Sequence, residues 1–499
     1  MNLHNGASSF ASTTPETPNG RRPRFGTRRI SRPISRRILW IVGCVALGVS
    51  NPGSSVLHAN EATTVQDPAK DLFLTELDNG LRVILLEDHR TPVVAFQLWV
   101  DAGSSDESFY TGIAHLFEHM MFKGSKNIPP ELHAQLINER GGQINAYTSR
   151  DVTVYHEDVT AESLPLVIDL EAERFGNLSI TDATLQSERE VVLEERRLRT
   201  EDTPDGRAFE ALAATLWQAH PYRWPVIGWR SDVEAVTIEA CQRFFDTYYA
   251  ANNLTVVIVG DFETEATLAH VRRAFGRLKP AESIPRNPTT VVAQDGERRA
   301  TVYFDAKIPL LYAGWHAPAS GHPDAEPLDV TSEILSGGRS SRLYRSLVYD
   351  EEKALYAQGG YFEMREAGMF YAIAGARPGT SVEELETLFM AEIDRIAAEG
   401  VSQAELDKAK RQLEVGLVNG FTTNHAQASR IGYDILSFGR VRSIDERLDA
   451  IREVTIEDVQ RVVSTYLRPR FRSVIHVVPS PEEAKHEPGD AAPAAEVSR

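Results

Sequence analysis

Cysteine is nearly missing from this 499-residue chain, which holds only Cys44 and Cys241. That excludes a disulfide scaffold and any zinc site built on several thiolates. Long apolar runs are missing too: the twelve apolar residues at 38–49 form a stretch short for a membrane-spanning helix. Positive charge is scarce, with 53 Lys and Arg against 71 Asp and Glu and a net charge of −18. Such a balance disfavours nucleic acid and anionic membrane as partners. Eight arginines and a single acid, Glu16, fall within residues 1–37, so the rest of the chain is more acidic still. An acidic body suits basic or unfolded polypeptide if the acids line a chamber, and equally suits a plain solvated surface.

The basic region at 1–37, the apolar run at 38–49 and a polar stretch to residue 59 have the layout of an export signal or an uncleaved N-terminal anchor. The expected location is the periplasm or cell envelope, with membrane contact only through this segment. Residues 481–499 are rich in Pro, Glu and Ala and read as a disordered tail. Cys241 is the only thiol beyond the leader and falls on an amphipathic helical pattern, so it is expected to be buried and structural.

Between these ends the chain repeats itself. Val236-Thr237-Ile238-Glu239 recurs as Val454-Thr455-Ile456-Glu457, and the match continues through Gln242/Gln460, Arg243/Arg461, Thr247/Thr465 and Tyr248/Tyr466. Each copy reads as a Thr-capped helix followed by an apolar strand. Upstream, the helical pattern at 182–199 resembles that at 403–418. These matches indicate duplication of a unit of about 200 residues. The first unit is expected at 68–280, opening with a hairpin at Asn79-Gly80, then a linker at 281–297 and a second unit at 298–480. Strands and helices mix without regular βαβ alternation. The expected class is therefore α+β, each unit a largely antiparallel sheet layered with helices.

The chemistry sits in the first unit. His115-Leu116-Phe117-Glu118-His119 puts two imidazoles one helical turn apart on one face, where both can bind one metal ion with Glu118 beside it. The order His-x-x-Glu-His is the inverted form of the commoner zinc peptidase motif. A helix with two histidines by accident is the bland alternative. A catalytic zinc also needs a third protein ligand. Glu188, Glu190, Glu194 and Glu195 compete for that place. Glu195 has Gly416 as its counterpart in the second unit, so this carboxylate is present only in the copy that holds the histidines.

With these residues in place, the chain resembles the pitrilysin/insulinase-type zinc peptidases, in particular short bacterial members similar to the mitochondrial processing peptidase β subunit. The resemblance spans nearly all of residues 70–480. It is carried by His115–His119, Phe122-Lys123-Gly124, Gly141-Gly142, Asn145-Ala146-Tyr147-Thr148-Ser149, residues 188–195, His220-Pro221-Tyr222, Pro225-Val226-Ile227-Gly228 and the stretch from Asn253 to Asp261. It implies one Zn²⁺ per chain held by His115, His119 and Glu195, with Glu118 as general base for a metal-activated water. It further implies that Glu188 orients a ligand histidine, and that Asn145, Ala146 and Tyr147 lie on an edge strand that pairs with extended substrate. Tyr356 stands where the family has a tyrosine that donates to the oxyanion. Tyr349 replaces the arginine expected seven residues before it, with Arg342 and Arg345 nearby.

The resemblance also implies half of a clamshell. The expected partners are a polypeptide substrate and either a second copy or a related subunit that lacks the zinc site. Two functions remain in play: a zinc-dependent endopeptidase acting on extended or unfolded polypeptide, and a catalytically silent structural or substrate-binding subunit of a processing-peptidase-like complex.

Overall fold

Two sheets clad in helices account for residues 66–480, which the computed structural model describes; the expected leader (1–59) and tail (481–499) lie outside the described residues. The first sheet is built from β1 (Phe73–Glu76), β2 (Arg82–Glu87), β3 (Val93–Val100), β4 (Gln143–Thr148), β5 (Thr153–Thr160) and β6 (Leu254–Gly260) in the order β1-β2-β6-β3-β5-β4. The second contains β7 (Arg298–Phe304), β8 (Leu310–Ala317), β9 (Ala354–Phe362), β10 (Gly368–Ala376) and β11 (Arg472–Pro479) in the order β7-β11-β8-β10-β9. Each sheet has one parallel pair, β2 with β6 and β7 with β11, and is otherwise antiparallel. Strand for strand, β2-β6-β3-β5-β4 repeats as β7-β11-β8-β10-β9. The α+β class with two related units is therefore what the chain adopts.

Local chemistry explains the elements. Gly80 turns the β1–β2 hairpin at φ +85°, and a Cβ there would lie 2.7 Å from Asn252 Cβ. The repeated Thr residues cap matching helices: Thr237 Oγ1 accepts from the Ala240 amide and Thr455 Oγ1 from that of Asp458. Cys241 is buried on the first of them. Every residue of β6 is buried because both faces of this central strand are covered. Val256 and Ile258 pack toward helices of the first unit, whereas Val257 and Val259 face the other way.

What covers that other face comes from the second unit. Helix Asn424–Phe438 lays Ala428, Ile431 and Ile435 on Ile84, Ala95, Trp99, Val154 and Val257 of the first sheet. Buried Gln97 fixes it, donating to Ser429 Oγ at 2.9 Å and to the His425 carbonyl at 3.2 Å, while Trp99 Nε1 donates to Gln97 Oε1. The exchange is reciprocal. Helix Pro204–Leu216 of the first unit packs Ala208, Leu212 and Leu216 on Leu310, Tyr312, Ile475 and Val477 of the second sheet. Each buried Leu or Ile in such a contact contributes about 1.5–3 kcal/mol, so neither sheet keeps its full core without the other unit's helix.

Gly432 is where the exchanged helix comes closest to its sheet, since a Cβ there would sit 2.1 Å from Trp99 Cε2. Gly432→Ala is expected to lower stability by about 1–3 kcal/mol through overpacking, despite alanine's better helix propensity, as read by denaturant unfolding.

Candidate metal centre

The His-x-x-Glu-His stretch lies on helix Ile113–Met120, where His115, Glu118 and all the apolar positions are buried. The start of this helix is a close backbone crossing. Gly112 has φ +86°, and a Cβ on it would meet the Ile227 carbonyl at 2.5 Å; Gly228, at φ +77°, would collide with the Thr111 carbonyl at 2.3 Å. Only glycine fits both places. Glu107 then caps the helix, its two carboxylate oxygens accepting from the amides of Gly112 and Ala114, each at 2.9 Å. The same Gly228 offers its carbonyl to Arg196 of helix Asp182–Arg196 at 2.7 Å, which ties the second functional helix to the first.

Across this junction three donors converge. Glu195 Oε2 lies 3.4 Å from His119 Nε2 and 3.9 Å from His115 Nε2. One donor atom from each residue lies within 4.8 Å of the other two. Two donors on a tetrahedral zinc with bonds of about 2.0–2.1 Å stand roughly 3.4 Å apart, so the spacing suits a shared ion better than it suits direct hydrogen bonds. His115 Nδ1 is buried with no hydrogen-bond partner among the described residues. Burial and the neighbouring His119 push the His115 imidazole down to about 3, which keeps it neutral and free to ligate. Burial would lower His119 as well, but Glu188 and Glu195 outweigh it and raise that imidazole to about 9. Burial opposes ionisation of Glu195, yet His119, His115 and Arg199 overcome it and bring the carboxyl down to about 2. The carboxylates thus make this point favourable for positive charge, and the His₂Glu donor set fits zinc.

Around these three, Glu188 Oε2 approaches His119 Nδ1 at 3.7 Å while its other oxygen takes Lys123 Nζ at 3.1 Å. Arg199 pairs with the remaining oxygen of Glu195. Glu118 is 3% exposed, and burial raises its carboxyl to about 7, held back by one hydrogen bond. That bond comes from Thr148 Oγ1, which donates to Glu118 Oε2 at 2.6 Å. Thr148 ends β4, the edge strand of the first sheet, on which Asn145, Ala146 and Tyr147 pair with His156, Tyr155 and Val154 of β5. Among the described residues no strand pairs with the other edge of β4.

Tyr356 stands apart. It lies on β9, the edge of the second sheet, against Gly375 and near Asp205, and makes no hydrogen bond or ion pair with the cluster among the described residues. Tyr349 is 65% exposed with the Arg345 guanidinium over its ring at 5.2 Å, and Arg342 is bound to Glu405. Sequence reasoning passed over four contributors. Thr148 and Lys123 lie inside motifs of the family resemblance that give them no role. Arg199 follows Glu195 by one helical turn, a readable ion-pair spacing. Glu107 gave no signal except an acid shortly before a helix.

Known proteins share this arrangement of sequence and fold. A family model described as insulinase (peptidase family M16) matches residues 82–229, and one described as the peptidase M16 inactive domain matches residues 235–413. The zinc protease PqqE of Helicobacter pylori is 28% identical over 440 residues, covering 87% of this chain and 96% of that protein. A probable mitochondrial-processing peptidase subunit beta of Arabidopsis thaliana is 27% identical over 417 residues, covering 80% and 77%. The crystal structure of a protease from Helicobacter pylori aligns with a TM-score of 0.79 at 28% identity, over 82% of this chain and 99% of that one. The His-x-x-Glu-His helix falls in the first match. The corresponding helix of the second half, Ala325–Ser336, carries no histidine.

Removing the Glu107 carboxylate leaves two buried amides at the start of the motif helix without acceptors. Glu107→Ala is expected to cost about 1–3 kcal/mol in chemical denaturation.

Proposed function

This chain belongs to the insulinase family of peptidases, M16, and on that premise we propose that it is a zinc-dependent endopeptidase acting on extended or unfolded polypeptide. The observation that carries the reading is the convergence of His115, His119 and Glu195 beside a buried, hydrogen-bonded Glu118. His115, His119 and Glu195 hold the ion. Bound there, zinc supplies Lewis acidity toward a peptide carbonyl and toward water.

The protein's own groups do the rest. Glu118 takes the proton from the attacking water and returns it to the leaving amine nitrogen. Thr148 holds one oxygen of Glu118, leaving the other to carry that proton. Glu188 orients His119 through Nδ1. The free edge of β4, at Asn145-Ala146-Tyr147, takes the substrate backbone as an added strand, which demands little of its sequence. Hydrolysis breaks the C–N bond and yields one carboxylate and one amine.

A pair of chains goes with this reading: two copies, or this chain with a related subunit without zinc donors. In such a pair Tyr356 is the donor to the oxyanion. The name of the Arabidopsis relative, a subunit, supports pairing. Export, read from residues 1–59, belongs to the same proposal. Among the described residues no helix is long and apolar enough to cross a membrane.

Purified protein is expected to carry about one zinc at this centre and to cleave unfolded peptides until a chelator is added. Glu118→Gln should retain zinc and lose cleavage by roughly 100-fold or more. A zinc-replete wild type that cuts nothing, alone or with its partner, assigns the chain to the silent-subunit role instead. Thr148→Val is expected to lower kcat about 10–100-fold with zinc content unchanged, the cost of one hydrogen bond to a charged group.

A further inference from the structure

A second set of metal donors lies on the opposite face of the first sheet. His156 and Asp158 are two residues apart on β5 and so share a face. That face is the one the exchanged helix Asn424–Phe438 covers: Val154, the preceding residue of the same row, packs with Ala428 and Ile431. Tyr155 and Val159, of the other row, pack in the core that contains Leu116 and Phe117 of the motif helix. The exchanged helix brings His425 in its first turn. Its Nδ1 lies 3.0 and 3.2 Å from the two oxygens of Asp158. The His156 ring faces that of His425 with 4.8 Å between centroids and planes 80° apart. One donor atom from each of the three residues lies within 4.8 Å of the other two.

The site has unused capacity. Among the described residues, neither ring nitrogen of half-buried His156 makes a hydrogen bond. The side chains of His425 and Asp158 are 41% and 40% exposed, so an ion reaches them from solvent and keeps room for water. We propose that His156, Asp158 and His425 bind a second divalent ion of the zinc class, which clips the exchanged helix of the second half to the first sheet. Two imidazoles and one carboxylate suit zinc and its neighbours, whereas calcium and magnesium call for oxygen donors. His425 and Asp158 are 267 residues apart in the chain, so the three donors meet only in the folded molecule, and binding there stabilises the fold. His156 is also the β-ladder partner of Asn145 on β4, the edge strand of this sheet. A third set of donors, His133, Glu157 and Glu171, is closed to an ion from solvent and already holds a cation: Glu157 and Glu171 are buried, and the buried Arg174 pairs with Glu171.

The test uses the full chain, stripped of metal, loaded with Zn²⁺ alone, dialysed, and analysed for zinc per chain by mass spectrometry, with thermal unfolding in parallel. Wild type is expected to retain two equivalents. His115→Ala/His119→Ala is expected to retain one and still to gain in Tm on adding zinc. His156→Gln/His425→Gln is expected to retain one and to lose the part of the gain that the second equivalent gives. One equivalent in wild type, two in His156→Gln/His425→Gln, or no zinc-dependent Tm change in His115→Ala/His119→Ala overturns the proposal. If His156→Gln/His425→Gln does not fold, the wild-type count and the His115→Ala/His119→Ala melting curve decide. The peptidase reading fails on a different result, undiminished cleavage by His115→Ala/His119→Ala, which leaves the count at the second set untouched.

Discussion

A carboxylate on one helix must meet two imidazoles on another, and this meeting depends on two glycines. Gly112 and Gly228 let the backbones at the start of the motif helix touch, and Gly228 then offers its carbonyl to Arg196 on the helix that carries Glu195. Glu107 locks the same helix start through two amides. The cluster is therefore positioned by backbone contacts away from the donor atoms, and the donors sit on regular elements and not on loops. That is the arrangement in which donor spacing can be held to a fraction of an ångström.

Burial then divides the labour among chemically similar groups. Glu118 and Glu195 are both glutamates that feel His119, yet one is pushed up to about 7 and the other down to about 2. Glu118 meets a hydroxyl and little positive charge; Glu195 meets Arg199 and both imidazoles. A carboxyl that readily exchanges a proton thus sits beside one that stays ionised, which is the pairing that acid–base chemistry next to a ligated cation requires.

The parts of this molecule that were legible in its sequence are those governed by short-range geometry. His115 and His119 announce themselves because a helix turn is four residues long, and the Asn79-Gly80 hairpin because a turn pattern is equally local. The duplication was legible through the Val-Thr-Ile-Glu repeat, and it carries through to matching strand orders. The helix exchange was not legible: the apolar rows of Pro204–Leu216 and Asn424–Phe438 say that a face is buried but not against which sheet. Thr148 is one polar residue at a strand end, and its bond to Glu118 spans thirty positions that no periodicity connects. Glu195 stood among four glutamates until the repeat and the family resemblance separated it.

The crossed helices carry a consequence for ancestry. Two copies of one unit, each lending an arm to its twin, are what results when the subunits of an arm-swapped homodimer are fused head to tail. A single unit alone would leave one face of its sheet bare and would need a second copy to cover it. The covalent join lets the copy without the histidines prop up the one that holds them.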